Sequence, residues 1–229
     1  AGNLVRMLFS FIFSSKKLSI NINIKYWKQL IDFGKYILAR SILLYLITQG
    51  DDFFVGSYLG TASLGFYQLA YKVSNLPATQ VSHLISQVTF PTFSKLQENR
   101  KNLREALVTT IKYVSFFTIP ISFGISILAH DFVLIFLGKK WIQIIPTIRI
   151  LSFFGLFRSL TSILGPVYLA VAKLYIPLRI NIFQFFFLFL VIIPFANKWD
   201  YLGVAIATTL MLAFSFPFFL IGIKDIVKV

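Results

Sequence analysis

Four long apolar stretches constrain the fold of this chain more than any other feature of its sequence. They cover residues 107–137, 142–172, 174–196 and 201–223, and basic or turn-forming residues separate them. A helix needs about 20 mainly apolar residues to cross a bilayer, so each stretch is long enough. Because backbone polar groups inside a membrane must be hydrogen bonded within the protein, spans of this length are helices. The sequence therefore predicts an all-α, polytopic membrane protein.

The composition fits a surface that faces lipid rather than water. Hydrophobic residues make up 57% of the 229 residues and charged residues only 13%, whereas soluble domains carry about 25% charged residues. The 22 Lys and Arg residues outnumber the 8 Asp and Glu residues, which gives a net charge of +14. These basic residues lie between the apolar stretches. That placement indicates cytoplasmic loops and contact with anionic membrane lipids rather than a surface for nucleic acid.

Two further segments, 34–57 and 66–93, decide the number of spans. The loops 14–28 and 94–105 each hold four basic residues, and if both lie in the cytoplasm, an even number of spans separates them. Both segments then cross the membrane, although 66–93 is much more polar than the others. Continuing the alternation places eleven basic residues inside and three outside. The inside residues beyond those two loops are Lys173, Lys224 and Lys228. We expect six full spans in the bacterial inner membrane, with a cytoplasmic C-terminus.

The two ends of the chain complete the expected domain plan. Residues 1–13 are predicted to be the end of a transmembrane helix that starts before the first residue, so the chain is interpreted as part of a longer protein. Residues 14–33 are predicted to form a cytoplasmic loop and an amphipathic interfacial helix. The six-helix transmembrane bundle is predicted at 34–223 and a cytoplasmic tail at 224–229.

The sequence lacks the patterns that catalysis and metal binding require. It has no cysteine and two histidines, His83 and His130, which leaves no ligand set for a zinc site. Asp51 and Asp52 are adjacent, so on a helix their side chains point about 100° apart and do not form an acid–base pair. We therefore expect no metal, no cofactor and no enzyme activity.

Polar side chains inside a membrane cost free energy unless they face a wet cavity or a partner, so they indicate function. Segment 66–93 holds five polar residues spaced by 3, 4, 4 and 3 positions, which places them on one helical stripe. Pro77 is predicted to bend this helix near its outer end. The stripe is interpreted as the lining of a hydrophilic cavity; hydrogen bonding that only holds the bundle together is the alternative. Its members are Lys72, Asn75, Thr79, His83 and Ser86, and the first four are the candidates for lining the cavity.

Four other polar residues at membrane depth extend this candidate cavity. Arg40 and Asp51 are 11 residues apart, which places them on one helix face about 16 Å apart along the axis. The alternative for Arg40 is to reach the cytoplasmic surface. Arg158 is near the middle of its span, and Gln184 lies deep enough to need a partner. We expect the two arginines and Gln184 to face the cavity, and Asp51 is the candidate for ion or proton coupling.

Three glycines lie near the end of the first full span. Gly56 and Gly60 have the GxxxG spacing that permits close helix contact. A tight periplasmic turn is the alternative, and it suits Gly60 and Gly65 better.

A set of short motifs from about residue 30 to 150 carries a family resemblance. The run DDFFVGSYLG at 51–60 is followed by LGFY at 64–67 and AY at 70–71, and FPTFSKLQ occupies 90–97. The remaining matches are Phe33-Gly34, Gly138, Trp141 and Pro146. Together they resemble the Wzx-type polysaccharide (O-antigen) flippase family of the multidrug/oligosaccharidyl-lipid/polysaccharide exporter superfamily. The later spans agree with that family only in layout.

The resemblance implies a fold and a substrate. The family has two six-helix halves around a central cavity, and this chain resembles the C-terminal half, so the N-terminal half would be its partner. The implied substrate is an oligosaccharide linked to undecaprenyl pyrophosphate, which is moved from the cytoplasmic to the periplasmic leaflet for surface polysaccharide synthesis.

A cationic cavity suits such an anionic head group. Arg40, Lys72 and Arg158 are the candidates for binding the pyrophosphate. The candidates for binding sugar hydroxyls are Asn75, Thr79, His83 and Gln184. Two alternatives stay open. A drug or metabolite antiporter of the same superfamily would favour an acidic or aromatic cavity. A polytopic enzyme of polysaccharide assembly would need a large loop, whereas the longest loop between spans has about a dozen residues.

Overall fold

The computed structural model describes residues 27–227, without the side chains of 27–30, 32–33, 77–78, 81–84, 86–88 and 225–227. The chain divides into two compact units, Ala1–Lys35 and Tyr36–Val229, and all contacts below lie within the second. Over the described range the structure is helical, without strands. The helices are α1 (Trp27–Phe54), α2 (Thr61–Ser74), α3 (Leu76–Leu96), α4 (Arg100–Phe132), α5 (Ile145–Ala170) and α6 (Tyr175–Val227).

The predicted all-α membrane fold is confirmed. Three helical segments of the described chain are long and apolar enough to cross a membrane: Arg100–Leu137, Lys139–Ala170 and Tyr175–Lys224. They contain the four apolar stretches of the sequence, because the third segment includes two of them. The segments predicted at 34–57 and 66–93 are helical but fall outside these three, so their crossing stays a prediction.

Helix α6 consists of two helices joined by a sharp break. Trp199 and Asp200 leave helical geometry there, and Asp200 has a φ of 54°. Gly203 follows at the point where the two halves of α6 meet. A Cβ on Gly203 would lie 1.9 Å from the carbonyl oxygen of Phe195. Only glycine permits this approach. The break at Trp199 and Asp200 folds residues 201–227 back beside the first half of α6.

Two connections of the same kind end α1 and α4. Each is a five-residue π-helix that starts with a fully buried valine, Val55–Leu59 in one case and Val133–Leu137 in the other. Each ends at a glycine with positive φ, Gly60 at 93° and Gly138 at 86°. Glycine adopts this conformation without the steric cost of a Cβ. The turn predicted at Gly60 therefore exists.

The other two glycines of that group behave differently from each other. A Cβ on Gly56 would lie 3.1 Å from Leu64 Cδ2, so this glycine permits close packing of the π-helix on α2. The alternative of a turn does not hold for Gly65. It lies exposed inside α2, with no atom within 4 Å of the Cβ position.

Helix α5 lies at the centre of the bundle, against α2, α3, α4 and α6. Its closest approach to another helix is at Gly155, where a Cβ would lie 2.6 Å from the carbonyl oxygen of Ser74. The Ser74 hydroxyl donates a hydrogen bond of 3.0 Å to the carbonyl of Ile148. The junction of α2 and α3 is therefore fixed against α5.

The same junction breaks the polar helix that the sequence predicted as one span. Asn75 separates α2 from α3, with φ −91° and ψ 2°. Pro77 follows in the first turn of α3, where its missing N–H is tolerated. The helix is therefore interrupted at Asn75, two residues before the position where a bend was expected, and this break divides the predicted stripe of polar residues into two parts.

The close approach at Gly203 leads to a stability prediction. Replacing Gly203 by Ala forces the two halves of α6 apart, so we expect the full-length gene product in detergent to lose about 1–3 kcal/mol of stability. The matched control is Gly124→Ala in α4, where nothing lies within 4 Å of the Cβ position and helix propensity favours Ala. Thermal unfolding measures both. Equal melting temperatures for the two variants would contradict the geometry of the break.

Candidate functional site

A cavity of about 360 Å³ lies between α1, α5 and both halves of α6. It brings together three of the residues that the sequence predicted for substrate binding, Arg40, Arg158 and Gln184. One wall is apolar and includes Phe154 and Phe219. The other polar residues of the lining are Thr48, Thr161, Ser162 and Asn181.

The charge of this cavity is positive and uncompensated. No acidic residue lines it within the described part of the chain. Neither Arg40 nor Arg158 forms a salt bridge with a described carboxylate; His130 and Asp131 form the ion pair seen in residues 27–227. The buried Nε of Arg40 has no hydrogen-bond partner. Unpaired guanidinium groups at membrane depth are costly, so the cavity is suited to an anion.

A chain of amide and hydroxyl groups forms the α6 side of the cavity. The side-chain amide of Asn181 donates to Gln184 Oε1 at 3.1 Å, and Gln184 Nε2 donates to Ser215 Oγ at 2.7 Å. Both amide residues are at most 3% exposed. Asn181 Oδ1 is buried without a partner. Asn181 therefore offers a free acceptor to a ligand, whereas the amide of Gln184 is largely occupied.

Sequence reasoning did not select Asn181 as a site residue. The signal was present, because Asn181 lies three positions before Gln184 and so shares its helix face. Its position near the start of a span made an interfacial role equally reasonable. The packing of α6 against α5 places it in the cavity, which residues of α1 also line.

Arg158 is held by aromatic residues rather than by an acid. Its Nη1 donates a hydrogen bond to the hydroxyl of Tyr71 on α2. The guanidinium carbon lies 5.9 Å from the ring centroids of Tyr71 and Phe154. These contacts satisfy part of the guanidinium while they leave its positive charge without a compensating negative charge.

Asp51 lies outside the cavity lining, although Arg40 on the same helix is part of it. The carboxylate is 4% exposed and accepts a hydrogen bond of 2.8 Å from the Tyr67 hydroxyl and one of 2.9 Å from the backbone N–H of Asp52. Asp52 in turn accepts from Gln68 Nε2 at 3.0 Å. Both acids therefore bind α2, and the role of Asp51 in coupling stays a prediction.

The described residues of the predicted polar stripe, Lys72, Asn75 and Thr79, do not line this cavity. Asn75 is buried against α5, close to Gly155. Lys72 and Thr79 are exposed, and the Thr79 hydroxyl donates to the backbone carbonyl of Asn75 at 3.1 Å. The side chain of His83 lies outside the described ones. The break at Asn75 explains this separation, and the substrate-binding roles of these four residues stay predictions.

Comparison with known proteins identifies relatives of the chain. A family profile described as polysaccharide biosynthesis protein matches residues 1–146. An uncharacterized membrane protein in the cps region of Klebsiella pneumoniae is 31% identical over 173 residues, which are 76% of this chain and 35% of that protein. The lipopolysaccharide biosynthesis protein WzxC of Escherichia coli K12 is 32% identical over 154 residues, which are 67% of this chain and 31% of that protein. The chain thus spans about a third of these curated relatives.

A solved structure shows the same fold. The lipid II flippase MurJ in its inward closed conformation superimposes with a TM-score of 0.71 at 24% sequence identity. The match covers 96% of this chain and 48% of that structure. The fold of this chain therefore corresponds to about half of a two-bundle flippase fold, as predicted.

The polar lining predicts that water reaches the cavity. Because the chain has no native cysteine, Thr161→Cys provides a single reporter on the cavity wall. In a full-length gene product without other cysteines, we expect a water-soluble thiol reagent to label this position at least about tenfold faster than a cysteine buried in an apolar interior, because such a reagent reacts with the solvated thiolate. Thr118→Cys on α4 is the control, because Thr118 is fully buried. Equal labelling rates would show that the cavity is dry.

Proposed function

Since the chain belongs to the family of polysaccharide biosynthesis proteins, we propose that it forms one bundle of a flippase for lipid-linked oligosaccharides. The substrate in this proposal is an oligosaccharide on undecaprenyl pyrophosphate, which crosses the bacterial inner membrane for surface polysaccharide synthesis. One observation supports it above all: Arg40 and Arg158 line one cavity without an acidic partner in the described chain.

The chemistry of this substrate explains the need for arginine. A pyrophosphate cannot enter hydrocarbon without compensation for its lost hydration. A guanidinium group stays charged, and it binds phosphate oxygens through two parallel N–H donors. In the proposal Arg40 and Arg158 bind the pyrophosphate, and the free Oδ1 of Asn181 accepts a sugar hydroxyl. Gln184 contributes mainly by orienting Asn181, because their amides are hydrogen bonded to each other.

The polar residues outside this cavity have a separate place in the proposal. Lys72 and Thr79 are exposed on the α2–α3 pair, so they are available to a substrate that lies against this bundle. We assign Lys72 to the pyrophosphate and Asn75, Thr79 and His83 to sugar hydroxyls, as the sequence predicted. The role assigned to Asn75 is supported by its buried Oδ1, which has no hydrogen-bond partner in the described structure.

Transport in this proposal requires a second bundle. The solved flippase is about twice as long as the part that this chain matches, and the relative from Klebsiella pneumoniae also extends well beyond the chain. We propose that the missing N-terminal half is the partner, that the halves alternate in access to the two leaflets, and that the C-terminus is cytoplasmic. Asp51 is the proposed ion or proton coupling residue.

A drug or metabolite antiporter and a polytopic enzyme have less support. Cationic drugs favour acidic or aromatic cavities, whereas two arginines line this one. The names of the relatives refer to polysaccharide and lipopolysaccharide biosynthesis, and the solved structure with the same fold is a flippase. Both observations favour transport of a lipid-linked saccharide.

The proposal predicts the effect of removing Arg158. Its charge-assisted hydrogen bonds to a phosphate contribute about 1.5–3 kcal/mol, so we expect Arg158→Ala in the full-length gene product to reduce polysaccharide export at least about tenfold. Lipid-linked intermediate should accumulate in the same cells. Arg149→Ala is the matched control, because Arg149 lies exposed on the same helix outside the cavity. Undiminished export by Arg158→Ala at normal protein levels would contradict the proposal.

A further inference from the structure

A buried polar chain connects α1 to the cavity through α2. It begins at Asp51, continues through Tyr67 and Tyr71, and ends at Arg158. Asp51 is 4% exposed and Tyr67 is fully buried, while Tyr71 and Arg158 are half-buried. These contacts place an acid and a cation in one cluster, and the sequence analysis assigns no role to either tyrosine.

Each link of the chain is a direct contact. The Tyr67 hydroxyl donates to Asp51 Oδ2 at 2.8 Å. The two tyrosine rings pack with their centroids 6.2 Å apart. Tyr71 accepts from Arg158 Nη1 through its hydroxyl. The spacing of Tyr67 and Tyr71 by four residues places both on one face of α2, so a single helix face carries the whole connection.

The arrangement separates two charges that would otherwise pair. Asp51 and Arg158 form no salt bridge, since none joins them within the described residues. A direct pair would neutralise Arg158 and remove it from the cavity. The tyrosines keep the acid at a distance while the Tyr71 hydroxyl fixes the guanidinium at the cavity wall. The separation leaves Arg158 free to bind an anion, while the two tyrosines connect it to Asp51.

We propose that Tyr67 and Tyr71 are positioning residues that link protonation of Asp51 to anion binding at Arg158. This inference rests on the proposed anion site. An anion at Arg158 and the ionised carboxylate of Asp51 are like charges in one poorly hydrated cluster. The ionised carboxylate therefore weakens anion binding, and the bound anion disfavours ionisation of Asp51. By linkage, a proton on Asp51 strengthens anion binding by the same factor by which the anion strengthens proton binding.

The charged and titratable groups around Asp51 are consistent with tighter anion binding when Asp51 is protonated. Asp52 is adjacent on α1 and adds negative charge, but it is bonded to Gln68 and is partly exposed. Tyr67 and Tyr71 on α2 lie near Asp51, and Arg158 on α5 is connected to Asp51 through Tyr71. Thr208 approaches Tyr67 from α6 and carries no charge. Lower pH is therefore expected to tighten anion binding through Asp51.

The test measures how strongly inorganic pyrophosphate protects Thr161→Cys from a thiol reagent in the full-length gene product, at acidic and at mildly alkaline pH. The apparent affinity is expected to be higher at acidic pH. Asp51→Asn removes the charge permanently, so we expect it to bind more tightly than the unaltered protein at alkaline pH, by roughly three- to tenfold. The ratio of the apparent affinity at acidic pH to that at alkaline pH, here called the pH ratio, should be smaller for Asp51→Asn than for the unaltered protein. The titration of pyrophosphate itself affects both proteins equally.

The tyrosine variants test the positioning role. Tyr71→Phe removes the hydroxyl that holds Arg158, and we expect affinity to fall by about tenfold and the pH ratio to approach that of Asp51→Asn. Tyr67→Phe should change the pH ratio in the same direction. Tyr201→Phe is the matched control, because its hydroxyl donates to the backbone carbonyl of Gln143 and to none of Asp51, Tyr67, Tyr71 or Arg158. A role confined to packing would change affinity and leave the pH ratio unaltered.

Three results would overturn the inference. Asp51→Asn keeps the pH ratio of the unaltered protein, or Tyr71→Phe keeps it, or pyrophosphate fails to protect the cysteine at either pH. In the first two cases the proposed anion site stands if Arg158→Ala abolishes protection. In the third case the anion site fails as well, so the failures of the two proposals are distinguishable.

Discussion

Two guanidinium groups that line one cavity of an apolar helix bundle, without an acidic partner among the described residues, are the constraint on which the account of this protein depends. A charge of this kind costs about 2.5–3.5 kcal/mol at the centre of a membrane helix. Arg40 and Arg158 are placed on different helices, and both line one cavity. A fold that only needed stability would replace such residues with apolar ones. Their convergence therefore indicates a function that uses the positive charge.

The packing around α5 explains how Arg158 comes to line this cavity. Gly155 lets the α2–α3 junction approach α5 closely, and this contact brings Tyr71 to Arg158, which lies less than one turn further along α5. The fold around α6 closes the opposite side of the cavity, because the break at Trp199 and Asp200 returns its second half beside the first. Helix packing and the electrostatics of the cavity are thus consequences of the same few close approaches.

Much of this structure could be predicted from local sequence. The apolar stretches determine where α4, α5 and α6 lie, and Leu59-Gly60 indicates the turn that ends α1. Arg158 was identified as inward-facing because a mid-span arginine needs a cavity or a partner. These inferences depend on residue chemistry and spacing alone, which the sequence contains in full.

The remaining features depend on contacts between distant helices. The polar stripe from Lys72 to Thr79 fits an ideal helix, but Asn75 leaves helical geometry and is buried against α5. Tyr67 and Tyr71 belong to the motifs LGFY and AY, but only the structure shows that their hydroxyls are hydrogen bonded to Asp51 and Arg158. Asn181 becomes part of the site only through the packing of α6. Sequence spacing gives the face of a helix, and tertiary packing decides what that face meets.

The most direct measurement of the central claim is the retention of undecaprenyl pyrophosphate by the purified full-length gene product in native mass spectrometry. The account predicts a bound lipid on the unaltered protein and on Arg149→Ala, and its loss from a variant in which both Arg40 and Arg158 are replaced by Gln. It also predicts that undecaprenol, which lacks the pyrophosphate, is retained weakly by all three. Equal retention of undecaprenyl pyrophosphate by the double variant would contradict the assignment of this cavity to an anionic lipid.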